Sequence, residues 1–412
     1  MPNLRPFHGI RYTSASELRD LVCPPYDVIS SEEQEQLRAR HPHNAVRLEL
    51  GTGKGSLQER YAGVAETFSA WLNEDVLARD RAPCFYAYRQ DFVSQSGSRC
   101  RVAGVMGALE LEPFGAASGV LPHERTMPAP IEDRLALLEA CPVNISPIYA
   151  IYRGGGELAP FLESLGSRSP EARFEDDAGV AHRLWAVSDA AEIEAVVAAV
   201  RPRPLVIADG HHRYETALAY HERHSKEPGE HDAIMCFCVD ADAEDLVVLP
   251  YHRTLKTSRS PASIKRQLSS DFSTTPIDSA SKVPVRLARS KADHAFAFAF
   301  GDENVLVEMT AAEVEESVGG RAPAWSGLDV VALHEALIPR LFPEGVGEIQ
   351  FSKDADEITR LVRKEGFTVG VLLRAVEAVD VVEVARSNER MPQKASYFWP
   401  KAASGLVFRS LR

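Results

Sequence analysis

Long apolar runs are missing from this 412-residue chain. No stretch approaches the ~20 consecutive apolar residues of a membrane-spanning helix, so no membrane partner is expected. The N-terminal "MPNLRPFHGIRYTS" has no apolar h-region. It does not read as a secretory signal, and a cytoplasmic location is expected. Basic charge is in short supply: 46 Lys and Arg face 59 Asp and Glu, a net charge of -13. That balance repels phosphate backbones, so no nucleic-acid partner is expected, although a local basic pocket for a small anion is allowed. Cysteine is sparse, and its six positions form no C-x-x-C pair. Cys236 and Cys238 flank Phe237 in an apolar run, where both would share one strand face as small buried hydrophobes. A P-loop is also absent. "GTGKGS", Gly51 to Ser56, lacks the required spacing and reads as a loop.

What is present reads as mixed α/β. The length favours two domains or one elaborated domain. Helical spacing in "ERYAGVAETFSAWLNEDVL" gives way to two strand-like runs, "CFYAYRQDFV" and "RVAGVMGALEL". The polar "SQSGSRC" between them suggests a hairpin. A polar, Ser-rich stretch after Lys256 suggests a junction, so a region 1–256 and a C-terminal α/β subdomain 257–412 are expected. In the latter, "HAFAFAF" places Phe296, Phe298 and Phe300 on one face of a half-buried strand paired with "NVLVEMT".

The densest chemistry lies at "PLVIADGHHRYETAL", Pro204 to Leu218. A short apolar strand runs into Asp209 and Gly210, a turn where glycine tolerates backbone angles that other residues avoid. A helix then begins at His211 or His212. Its first turn carries His211, His212 and Arg213, at the end where cations are disfavoured by some tenths of a kcal/mol each. A bound phosphate or carboxylate reverses that sign, because backbone N–H groups, imidazoles and a guanidinium converge on it. An arginine in that turn is expected to carry little core area.

Other polar clusters are candidates. "CPPYDVIS" presents Tyr26 and Asp27 on a proline-stiffened loop. "LPHERT" sets His123, Glu124 and Arg125 together, and the following "MPAP" is expected to prevent helix. "LPYHRTLK" ends a strand with His252 and Arg253. "MPQKASYFWPKAASGL" carries Lys394, Ser396, Tyr397 and Lys401 on a proline-rich loop.

At the Asp209 bend the chain resembles the ParB/sulfiredoxin-like superfamily, especially its free serine kinase branch, in which a "DGHHR" turn holds nucleotide phosphate. "LPHERT" is similar to that branch's upstream His-Glu pair. The whole chain resembles domain-of-unknown-function family 1015, through "CPPYDVIS", "LPHERT", "IADGHHRYETA", "LPYHRTLK" and "MPQKASYFWPKAASGL". The order Lys394, Ala395, Ser396 departs from that family's Lys-Ser pair. The resemblance implies a ParB/sulfiredoxin-like core and a phosphoryl-transfer enzyme, kinase or phosphatase, acting on a small hydroxylated metabolite, with serine or phosphoserine as the leading candidate. Gly210, His211, His212 and Arg213 would hold ADP or ATP, and Glu124 would act on the hydroxyl with Asp209, His211 and His212 as catalytic companions. Asp209 and Asp27 would hold Mg²⁺ through oxygen. Tyr26, Asp27, His123, Arg125, Arg253, Lys394, Ser396, Tyr397 and Lys401 would contact the substrate. Tyr26, Asp27, His123, Glu124, the 209–213 bend, Lys394 and Lys401 are expected to line one concavity. The rival reading is a non-catalytic nucleotide- or anion-binding regulator. A homo-oligomer is left open.

Overall fold

The strand-like runs of the first half form a single sheet. The computed structural model describes every residue except 52, 54, 95, 96, 116, 117, 243 and 244. Thr52 and Lys54 of "GTGKGS", and Gln95 and Ser96 of the hairpin link, therefore lie outside the described residues. The chain divides into two units. Unit 1 comprises Met1–Pro122, Thr126–Val247 and Pro400–Arg412, and unit 2 comprises His123–Arg125 and Val248–Trp399.

Unit 1 is built on strands β1 (Leu4–Arg5), β2 (Phe85–Val93), β3 (Arg99–Glu110), β4 (Val120–Pro122), β5 (Ile148–Tyr152), β6 (Ala172–Glu175), β7 (Ala181–Val187), β8 (Leu205–Asp209) and β9 (Ala233–Asp240). Among the described residues the order is β4-β8-β5-β9-β3-β2-β7-β6, with β1 beside β3. β2 and β3 pair antiparallel, as the hairpin pattern predicts. β8 runs parallel to β4 and antiparallel to β5. The sheet is therefore mixed. Cys236 and Cys238 do share one face of β9 and are buried, and only Cys100 of the six cysteines is partly exposed.

Helix α1 (Pro128–Ala140) starts inside "MPAP", where no helix was expected. Pro128 stands at its first position, where a proline's missing N–H costs nothing because that group has no intrahelical partner anyway. Helix α2 (Ala190–Val200) precedes β8, and α3 (His211–His224) follows it. Leu135 and Leu138 of α1 pack with Tyr220 of α3 and with Leu411. The main core lies on the sheet face that carries Phe85, Val105, Ile148, Leu205 and Ile207.

Unit 2 holds an antiparallel sheet of β10 (His252–Lys256), β11 (Ser273–Ile277), β12 (His294–Phe300), β13 (Glu303–Met309), β14 (Glu348–Ser352) and β15 (Val369–Leu373). Its order is β11-β13-β12-β15-β10-β14. β12 pairs with β13 as expected, but it is not half-buried. Ala295, Ala297 and Ala299 pack in a core with Val283, Leu287 and Ile358, and Phe296 and Phe298 are fully buried on the other face. Alanine's small side chain lets helices sit close on one face, so alternation here marks two packed faces. No helix among the described residues is long and apolar enough to cross a membrane.

Candidate functional site

β8 delivers the bend. Leu205 to Ala208 are buried, which fixes where the strand ends. Gly210 then adopts φ 88° and caps α3 without a side-chain hydrogen bond. A Cβ on Gly210 would meet the Arg213 guanidinium at 3.0 Å, so glycine serves both the left-handed angle and the close approach. The helix starts at His211, as the sequence predicts.

The first-turn cations are not where an exposed helix start would leave them. Arg213 is buried, against the expectation of little core area. Its Nη2 donates to Asp209 Oδ2 at 2.6 Å, and its Nη1 donates to the Pro147 carbonyl. Lys401 donates to the other Asp209 oxygen, Oδ1. One anion the bend requires is thus supplied by the chain itself, through Asp209. Burial alone would push the Asp209 carboxyl up, but Lys401 and Arg213 outweigh it and hold the carboxyl at about 2. Two cations on one carboxylate leave the bend net positive.

His212 accepts the Met127 N–H at its Nε2, 3.0 Å away, which places its own proton on Nδ1. In the same stretch Thr126 donates to Glu215 at 2.6 Å. The first turn of α3 therefore also anchors the segment leading into α1. His211 is buried and adds to the positive field on Asp209.

Tyr26 and Asp27 lie in a short helical turn, within electrostatic range of Arg213. Arg134 stacks over the Tyr26 ring at 4.1 Å. Burial, reinforced by Asp27, raises the Tyr26 phenol, so it stays protonated. Arg134 also donates to the Glu49 carbonyl and to Tyr61. A cavity of about 40 Å³ lies between Arg134 and Arg213, too small for a metabolite. Nothing in the mid-helix stretch "EDRLALLEA" singles out Arg134.

Both Asp209 oxygens are engaged by cations, and no cluster of three His, Cys, Asp or Glu that could hold a metal occurs among the described residues. The Asp209–Asp27 pair expected to hold Mg²⁺ does not fit that ion. A divalent cation wants oxygen donors unshared with cationic side chains.

Unit 2 gathers three sequence-distant motifs. His123 Nε2 lies 3.0 Å from Ser396 Oγ. Glu124 Oε1 accepts the Ala395 N–H at 3.1 Å, and Glu124 forms a β-bridge with Met391. Arg253 is fully buried. Its Nη2 donates to the Lys394 carbonyl at 2.9 Å, and its Nε donates to His334 Nε2 at 3.1 Å. Burial lowers the Arg253 guanidinium, and the Glu124 carboxylate opposes that. Lys394 takes φ 55°, a left-handed angle that costs an L-residue about 1–2 kcal/mol. The Arg253 hydrogen bond holds it there. The Lys394 ammonium lies 5.3 Å from the Tyr251 ring. Arg125 is exposed, with no side-chain partner among the described residues.

Two further residues of this site escaped sequence reasoning. Lys353 donates to Tyr397 Oη at 3.2 Å and lies 4.4 Å from that ring. His334 sits in a π-helical stretch, Ala332–Leu337. Such stretches recur at functional sites, but nothing in "VALHEAL" announces one. Burial, then Arg253, lowers His334 to about 3 and His252 to about 4, so both are neutral near pH 7.

The family model described as "Protein of unknown function (DUF1015)" matches residues 4–331. The chain belongs to this family. No curated protein matches this DUF1015 member. Among solved structures, a conserved hypothetical protein from Pyrococcus furiosus is similar at 12% identity and TM-score 0.34, over 68% of this chain and 87% of that one. A free serine kinase variant in complex with AMP is similar at 11% identity and TM-score 0.35, over 68% and 84%. SbnI with a C-terminal truncation, from Staphylococcus aureus, is similar at 8% identity and TM-score 0.36, over 72% and 85%. Likeness at this level carries no functional argument, so function is argued from the residues of this DUF1015 chain.

Proposed function

We propose that this chain is a phosphoryl-transfer enzyme acting on a small hydroxylated metabolite, with serine or phosphoserine as substrate and ADP or ATP as phosphoryl partner. The observation that carries the reading is the start of α3. Its N-terminus has no side-chain cap and bears His211 and Arg213, and Lys401 joins them on Asp209. Helix N-termini of this kind favour phosphate through backbone N–H groups, the helix dipole and the cations together. Phosphoryl transfer asks mainly for such positioning and charge stabilisation.

Within unit 2, Glu124 is the group that would take the hydroxyl proton. The Ala395 N–H holds its Oε1, and Oε2 makes no hydrogen bond among the described residues. His123 Nε2 lies 3.7 Å from Glu124 Oε1 and pairs with Ser396, and next to Ser396 the Tyr397 hydroxyl accepts from Lys353. No step is assigned to Mg²⁺.

The test is direct. The full chain is incubated with phosphoserine, with and without ADP and Mg²⁺, and serine, phosphate and ATP are followed. Turnover supports the enzyme. One observation favours a non-catalytic nucleotide- or anion-binding regulator: Arg213 and Lys401 already share an internal carboxylate, which serves a structural ion cluster equally well. Tight nucleotide binding without turnover in the same assay would establish that reading.

A further inference from the structure

A second basic site lies at the far edge of the unit 1 sheet. In register, Arg173 of β6 stands opposite Arg183 of β7, and Arg183 stands opposite Arg89 of β2. Three arginines thus form one row across three adjacent strands. Like charges directly opposite each other destabilise a sheet, so the row calls for an anion. Above it the Gly166–Arg168 turn and Pro170 close a cavity of about 320 Å³, with Trp185 as its inner wall. Trp185 is buried, and its indole N–H donates to the Arg168 carbonyl at 3.1 Å, which fixes that turn.

The chain supplies only part of the counter-charge. Asp91 binds Arg89 at 2.7 Å, Arg101 at 3.2 Å and Arg183. Glu163 adds a partner for Arg101, and Glu192 one for Arg168. Arg173 is exposed and has no side-chain partner among the described residues. The four arginines that line the cavity (89, 168, 173 and 183) have two paired carboxylates between them (91 and 192), and nearby Glu171 is paired with Arg11, in a protein of net charge -13.

We infer that this pocket binds a small, multiply charged anion bearing a diphosphate group. The volume is that of a small-metabolite site, not a polymer groove. Guanidinium groups suit paired phosphate oxygens through parallel N–H donors. The site is separate from the Asp209 bend. β8 and β7 stand five strand steps apart, roughly 24 Å at the usual strand spacing. The inference does not depend on the proposed phosphoryl transfer.

Calorimetric titration of the full chain with inorganic pyrophosphate, ADP and orthophosphate tests it. Pyrophosphate or ADP should bind saturably and more tightly than orthophosphate, with affinity falling as salt rises. The tighter of the two identifies whether the diphosphate is free or nucleotide-borne. R173E and R168E, both at exposed or half-exposed side chains, should each weaken binding roughly tenfold or more, with unchanged unfolding midpoints. Parental affinity in both variants would overturn the inference, as would orthophosphate binding as tightly as pyrophosphate or no saturable binding at all.

Discussion

Arg213 is buried in the fold and is also part of the proposed anion site. It is paired with Asp209 in a buried setting, so Arg213→Ala leaves a carboxylate with only Lys401 for company. Breaking a buried pair from one side costs roughly 3–5 kcal/mol, and Lys401 should keep the loss near the lower end. Urea unfolding would measure it, and an unchanged midpoint would contradict the buried pairing. Asp209 itself carries an acid signature. Its folded value of about 2 lies below the ordinary aspartate value of about 3.9. Its contribution to stability is therefore complete above about pH 4 and is lost as the pH falls toward 2. Asp209→Asn should flatten that part of the acid-unfolding curve. For Glu124, replacement by Gln keeps the shape and removes the base, so kcat should fall by ~10²–10⁴ with a modest change in KM. Parental turnover in that variant would move the proton chemistry elsewhere.

At the scale of the element, the decisive device is the strand-to-helix joint. Gly210 holds a left-handed angle at the point where Arg213 crosses over it. Gly210→Ala should cost about 1–2 kcal/mol from the backbone alone and should also displace the guanidinium. Chemical denaturation together with phosphate-binding calorimetry would separate the two effects, and a loss of stability without a loss of binding would mean that the guanidinium position does not matter to the anion. In unit 2 the comparable element is β10 with the π-helical stretch, where buried His252 and half-buried His334 flank Arg253. Both imidazoles are held below the ordinary value of about 6.5. The unfolded chain thus binds protons that the folded chain refuses. Stability from this element is full above about pH 6.5 and declines as the pH falls toward 4. Hydrogen exchange of β10 and β15, corrected for intrinsic pH dependence, should quicken between pH 7 and pH 5. His334→Gln retains an acceptor for Arg253 and should weaken that dependence.

For the whole molecule, legibility in the sequence tracked range. The β8–α3 joint was readable because strand, glycine and helix follow one another within fifteen residues. The β12–β13 pairing was readable for the same reason. The association of "LPHERT", "LPYHRT" and "MPQKASY" in unit 2 could be suspected only because each segment is a dense polar motif. Single residues in ordinary company, such as Arg134, His334 and Lys353, gave no signal, because only long-range packing brings them to a site. The burial of Arg213 was invisible for a related reason. Asp209 is only four residues away, but the Pro147 carbonyl and Lys401, which complete the buried arrangement, come from segments far along the chain. A Ser-rich stretch after Lys256 marks polarity in the sequence, and the structure changes unit after Pro122, Arg125, Val247 and Trp399.

That late return gives the protein a timetable. Unit 1 is finished by Pro400–Arg412, where Phe408 enters the core, Arg409 donates to the Ala233 carbonyl, and Lys401 reaches Asp209. All of residues 248–399 must be translated before that segment exists. At ordinary elongation rates the wait is roughly ten to thirty seconds. Throughout it, a nascent chain would present Asp209 and Arg213 without their lysine and a core without its closing aromatic. An interrupted product would lack Lys401 and leave Asp209 paired with Arg213 alone, so the charge balance on which the proposed anion site depends belongs only to chains that have been read through.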